Sequence, residues 1–232
     1  MADKKAAFLA AIPHTIPVFT GYIVLGAAYG ILMDSKGFSI LWILLASVFV
    51  YAGSMQFVAV ALLAAGFDPL GAFLLTLMVN ARHLFYGVSM LNQYKGLGKL
   101  KPYMIFALTD ETFSLLCSTK PPDGVDQKWF MFFITFLDHT YWITGSLIGG
   151  IVGSLTKFNT KGIDFVLTAL FVVILINQWK ATANHLPVLI GIMCAVVSLV
   201  IFGTSNFILP AMGGILFFVT ILKKHVVEVK SV

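Results

Sequence analysis

Charge is scarce in this chain. Asp, Glu, Lys and Arg make up 11% of its 232 residues, against roughly 25% in soluble domains. That is too little charge to cover a water-facing surface around a core of this size. Cysteine is scarcer still. Cys117 and Cys194 each lie in an apolar run, without C-x-x-C or other metal-ligand spacing, and read as small core residues. Enzyme signatures are missing as well: there is no H-E-x-x-H, P-loop, nucleophile elbow or dinucleotide fingerprint. The chain is therefore not expected to be an enzyme, to carry a metal or cofactor, or to hydrolyse ATP itself.

What is present is apolar. Hydrophobic residues are 59% of the chain, and mean hydropathy is +0.95. A helix needs about 20 apolar residues to cross a bilayer. Candidate segments are 10–33, 39–65, 69–90, 102–118, 129–154, 163–179, 185–203 and 206–222. Backbone groups in lipid must satisfy each other, so these runs are helices. The expected fold is an all-α integral membrane protein of the plasma membrane. It is a polytopic, multi-pass helical bundle of about seven to eight hydrophobic segments, some broken or re-entrant. A single transmembrane domain over 1–232 is expected, with halves 1–120 and 128–232. A weak internal repeat links the run ending at Gln56 with the run from Gly149 through Asp164 to Gln178.

The net charge of +5 comes from lysines in loops and at the ends, where they meet anionic lipid; it is not a nucleic-acid patch. If all eight segments cross with the N-terminus inside, Lys95, Lys99, Lys101, Lys157 and Lys161 fall outside, against the positive-inside bias. One re-entrant segment among the first three returns them to the side of Lys4 and Lys5. The start resembles a signal peptide, but its hydrophobicity runs on to Met33, so a retained first helix is expected. Interruptions are expected at Pro13 and Pro17, at Pro210 with Gly213-Gly214, and in the short segment 102–118.

Polar residues inside these segments are the candidates for function. Segments 39–65 and 69–90 read as a hairpin across Asp68-Pro69. The first carries Ser54 and Gln56, the second Asn80, Arg82 and His83. An Arg near a helix centre costs about 2.5–3.5 kcal/mol on insertion scales, and such groups usually face a bundle interior or a water-filled path. Arg82 lies about 13 Å inside its helix end at 1.5 Å per residue, a long reach for snorkelling; the alternative places it at the interface, with Tyr86 and Tyr94 as belt residues. His83 is a candidate proton carrier. Asp110 and Glu111 are candidates for pairing with Arg82 or for titration; the alternative leaves both in water on a surface helix. Asp138 and Asp164 are secondary candidates. Asp138 shares a stripe with Trp142, Gly145, Gly149 and Gly153 that reads as close helix packing, and Asp138-His139 read as gate or capping residues. Asp164 reads as a helix cap.

Four stretches carry a family resemblance: G-S-M-Q-F at 53–57, N-A-R-H-L-F-Y-G at 80–87, T-D-E-T-F at 109–113 and K-G-I-D-F-V-L-T-A-L-F at 161–171. In order and spacing they resemble the AzlC family, over nearly the whole chain. The K-G-I-D-F stretch departs from that family's L-G-L-D-F at positions 161 and 163. The resemblance implies the large subunit of a branched-chain amino acid exporter working with a small hydrophobic partner of the AzlD type. It also implies leucine, isoleucine, valine or toxic analogues as cargo, with methionine in some branches. With no ATP site in the chain, a proton or other ion gradient is the expected driving force. The alternative from another class is a non-transporting scaffold subunit.

Overall fold

The computed structural model describes residues 4–66, 69–80, 82–156 and 184–222, with isolated positions between 165 and 180. Among the described residues every regular element is helical. Two compact units divide the chain, Met1–Leu167 and Thr168–Val232.

The first unit is built on two long helices, α1 (Lys4–Ser35) and α8 (Gln127–Leu155), which lie along one another. The buried residues of α1 recur every three or four positions: Ala7, Ala11, Thr15, Val18, Tyr22, Gly26 and Tyr29. That period is one face of a helix. The matching face of α8 runs through Ile134, Asp138, Trp142, Gly145 and Gly149.

Glycine sets the closeness of the pair. A Cβ at Gly26 would stand 2.9 Å from Ser146 N, and one at Gly145 would stand 2.7 Å from Tyr22 O. Gly30 against Ser146 O and Gly149 against Ala27 O leave no room for a Cβ. The two backbones therefore touch, as small residues four apart allow. Pro13 and Pro17 do not interrupt α1, contrary to the sequence expectation. Both sit on its exposed side, so the lost N–H bonds cost nothing at the contact, and packing along α8 holds the helix together.

The breaks lie elsewhere. The segment 39–65 is α2 (Ile40–Phe49) and α3 (Ser54–Ala65), divided at 50–53. The N–H groups of Val50 and Tyr51 both donate to Ala46 O, at 3.0 and 3.1 Å. Tyr51 then turns to φ 42°, and Gly53 to φ 39°. The segment 69–90 is α4 (Pro69–Asn80) and α5 (Arg82–Met90); α3 packs on α4, while Asp68 lies outside the described residues. The segment 102–118 is α6 (Lys101–Phe106) and α7 (Asp110–Ser118), divided at 107–109. Thr109 caps α7, accepting from Thr112 N at 3.3 Å, and Asp110 and Glu111 in the first turn suit the helix dipole. Asp126 caps α8, accepting from Trp129 N at 3.0 Å. Asp138 and His139 are therefore mid-helix residues and cap nothing. Between α5 and α6, Tyr94 is buried, not in an interfacial belt, and its OH donates to Met104 O at 3.3 Å. Burial pushes that phenol above its ordinary range.

The second unit contains α9 (Leu186–Asn206) and α10 (Ile208–Ile221), packed on each other. The last interruption falls at Gly203 (φ 71°) and Phe207, not at Gly213-Gly214. Among the described residues, two helical stretches are long and apolar enough to cross a bilayer uninterrupted, Lys4–Ser35 and Leu186–Gly203.

Gly30→Ala and Gly149→Ala should each destabilise the first unit by about 1–3 kcal/mol through overpacking. Thermal unfolding in detergent reads this, with Gly21→Ala, which meets nothing within 4 Å, as the reference.

Candidate functional site

The breaks at 50–53 and 107–109 meet α8 and bury a polar cluster there. Asp138 is wholly buried, and its Oδ2 accepts from Thr112 Oγ1 at 2.8 Å. Thr109 Oγ1 donates to Thr112 Oγ1 at 3.1 Å and lies 2.7 Å from Tyr22 OH. Tyr22 OH lies 2.7 Å from Glu111 Oε2, to which it donates. One turn along α8, Trp142 Nε1 donates to Gln56 Oε1 at 2.9 Å. Ala52 N donates to the same oxygen at 3.2 Å. Two donors on one oxygen fix which way the amide faces.

His139 holds the other side. Its Nε2 donates to Ser47 O at 3.2 Å, which leaves Nδ1 of the neutral ring to accept from Tyr103 OH at 3.1 Å. The rings of Tyr51 and His139 lie 4.2 Å apart. Left-handed backbone at a non-glycine residue costs roughly 1–2 kcal/mol; the burial of the Tyr51 ring against His139 offsets it. Within the cluster, Ser47 Oγ, Tyr51 OH, Gln56 Nε2 and Asp138 Oδ1 are buried atoms without a hydrogen-bond partner. A buried polar group without a partner costs about 1–3 kcal/mol. Of these, Gln56 Nε2 can only donate and an ionised Asp138 Oδ1 can only accept, so the cluster offers a ligand both kinds of partner.

The candidates from sequence divide into three sets. Ser54 and Gln56 are buried at the start of α3; Gln56 is in the cluster through Trp142, and Glu111 through Tyr22. Asp110 is half-buried beside Glu111. Asn80 and His83 sit at the junction of α4 and α5, where His83 Nδ1 donates to Asn80 O at 3.3 Å. They line a cavity of about 630 Å³ whose walls are mostly apolar, with Phe73, Leu77, Ile105 and Leu108. Leu108 adjoins Thr109, so cavity and cluster meet along the chain at the α6–α7 break. Arg82 opens α5, but its side chain lies outside the described residues, as does Asp164. Among the described residues no group of three or more His, Cys, Asp or Glu is arranged to hold a metal.

Sequence reading did not single out Tyr22, Tyr51, Thr109 or Thr112. Hydroxyls in apolar helices are common and carry no signal until the partner helix is known. Trp142 was visible only as a member of a packing stripe. The T-D-E-T run was the available clue, since Thr109 and Thr112 flank the two acids.

The AzlC protein family model matches residues 17–156, which contain every member of the cluster. A branched-chain amino acid transport protein of Bacillus subtilis, AzlC, is 53% identical over 94% of this chain and 86% of its own. An uncharacterized membrane protein of Helicobacter pylori is 44% identical over 91% of this chain and 93% of its own. The Escherichia coli inner membrane protein YgaZ is 30% identical over 77% of this chain and 76% of its own. No solved structure matches.

Gln56→Leu should leave Trp142 Nε1 and Ala52 N buried without acceptors, at about 1–3 kcal/mol each. The fall in the unfolding midpoint in detergent checks it, and Gln56→Glu, which keeps an acceptor oxygen, should lose less.

Proposed function

The chain belongs to the AzlC family, and from that premise we propose that it carries branched-chain amino acids out across the plasma membrane as the large subunit of an exporter. The observation that carries this reading is that the buried cluster holds both an unpartnered donor, Gln56 Nε2, and an unpartnered acceptor, Asp138 Oδ1. A zwitterionic amino acid needs donors for its carboxylate and an acceptor for its ammonium group. Gln56 and the N-terminus of α3 supply the donors, since half-helix N-termini favour anionic groups. Asp138 is the acceptor; sequence had assigned that role to Asp110 or Glu111. Gln56 is held by Trp142, one helical turn from Asp138, about 6 Å along the axis at 1.5 Å per residue. An aliphatic side chain is accommodated by the apolar wall that begins at Leu108.

About seven to eight hydrophobic segments cross or enter the bilayer in this reading. The broken pairs α2–α3 and α4–α5 count as one segment each, since irregular backbone at membrane depth is tolerated where protein covers it. The fuel in this reading is the proton gradient: the sequence carries no P-loop, and a buried carboxylate, Asp138, is the kind of group a proton gradient acts on. The partner is a small hydrophobic membrane subunit of the AzlD type. It is assigned on family grounds.

Proteoliposomes containing this chain and its small partner should show saturable counterflow of labelled leucine, isoleucine or valine. Asp138→Asn should raise the half-saturation concentration about tenfold to a hundredfold, the value of a hydrogen bond to a charged group. An unchanged half-saturation concentration in that variant removes Asp138 as the ammonium acceptor.

A further inference from the structure

The chain of oxygens from Glu111 to Asp138 has more contacts than hydrogens. Its members are Glu111 Oε2, Tyr22 OH, Thr109 Oγ1, Thr112 Oγ1 and Asp138 Oδ2. The four successive separations are 2.7, 2.7, 3.1 and 2.8 Å, each at or close to hydrogen-bonding distance for O–H···O. Three hydroxyls supply three hydrogens. With both carboxyls ionised, one of the four contacts has no hydrogen and sets two lone pairs against each other. With Tyr22 donating to Glu111, Thr109 to Thr112 and Thr112 to Asp138, the contact without a hydrogen is Tyr22–Thr109; both residues are buried, so bulk water does not relieve it. One further hydrogen fills every contact, and it can only reside on a carboxyl at either end.

We propose that Glu111 and Asp138 share a single proton through Tyr22, Thr109 and Thr112, and that the proton's arrival at Asp138 displaces the ammonium group of the cargo. The displacement rests on the carrier reading above; the shared proton does not. The transfer balances atom by atom. Glu111 gives its proton to Tyr22 O, Tyr22 gives its own to Thr109 O, Thr109 to Thr112 O, and Thr112 to Asp138 Oδ2. Each hydroxyl ends with one hydrogen, Glu111 ends as carboxylate and Asp138 as acid. Rotation of the three hydroxyls resets the chain.

The ends differ in the way such a path requires. Glu111 is exposed and Asp138 is wholly buried. Other titratable groups lie close to the chain: Tyr51 from the α2–α3 break, Tyr103 from α6 and His139 from α8; Asp110 precedes Glu111 in α7. His139 is already engaged by Ser47 O and Tyr103 OH, and so is not a member of the path. Ionised Asp138 binds an ammonium group and neutral Asp138 does not. Proton and cargo therefore exclude each other at one carboxyl, which makes the carrier an antiporter that moves cargo against the proton. Apparent affinity for cargo falls as pH falls on the side where Glu111 opens.

Infrared spectroscopy of the purified chain tests the shared proton without any transport. The wild type should show a protonated-carboxyl C=O stretch, shifted in D2O. The band should vanish in Asp138→Asn and also in Glu111→Gln, because either amide donates the fourth hydrogen into the chain and leaves the remaining acid ionised. A band that survives in both variants, or is absent from wild type, overturns the proposal. In proteoliposomes, Thr112→Val should lower pH-driven net efflux about a hundredfold more than counterflow, the usual worth of a positioned proton donor. Thr112→Ser should restore the ratio. Equal losses in the two assays, or no loss, overturn the path. An intact band in a chain that moves no amino acid sinks the carrier reading and leaves the shared proton standing. Saturable transport without the band does the reverse.

Discussion

Backbone contact between α1 and α8 is the constraint on which the rest of the first unit depends. Only because Gly26, Gly30, Gly145 and Gly149 lack side chains do the two helices come close enough for Tyr22 to reach Thr109 and Glu111. A wider spacing would leave Tyr22 and Asp138 as isolated polar groups in an apolar interior, at a cost of several kcal/mol. Packing and polar chemistry are thus a single arrangement. The face of α8 that carries the glycines also carries Asp138 and Trp142.

The helix breaks complete what that contact begins. A continuous helix over 39–65 would satisfy its own backbone and offer nothing to a ligand. Dividing it at 50–53 turns the start of α3 inward, so that Gln56 meets Trp142 from α8 and Ala52 from its own loop. The second break, at 107–109, puts Thr109 at a helix start, where its hydroxyl caps α7 and also meets Tyr22. One residue therefore ends a local element and joins a tertiary chain of hydrogen bonds.

Much of this was legible in the sequence, and the failures have physical causes. The helical class followed from hydropathy. Ser54 and Gln56 stood out because polar groups in an apolar run demand an explanation, and Glu111 stood out for the same reason. Proline was over-read: Pro13 and Pro17 lie on an outward side, where a missing N–H disturbs no contact, and α1 continues past them. Glycine was under-read at Gly53, where φ 39° helps to divide α2 from α3 without any proline between them. Asp138 stood only as a secondary candidate because its stripe holds three glycines and reads first as packing, and one helix face served both purposes. Hydroxyls gave no warning, since Tyr22, Thr109 and Thr112 gain meaning only from neighbours distant in sequence.

The lengths of the broken helices carry a consequence of their own. At 1.5 Å per residue, α2 and α3 extend about 15 and 18 Å, and the hydrocarbon layer is about 30 Å thick. Under the proposal that the two cross the bilayer as one broken segment, each half spans about one leaflet and the junction at Tyr51 sits near mid-depth. Cargo held there is a single leaflet away from water on either side, so shifting one short plug exposes it to one compartment while the other plug keeps the seal.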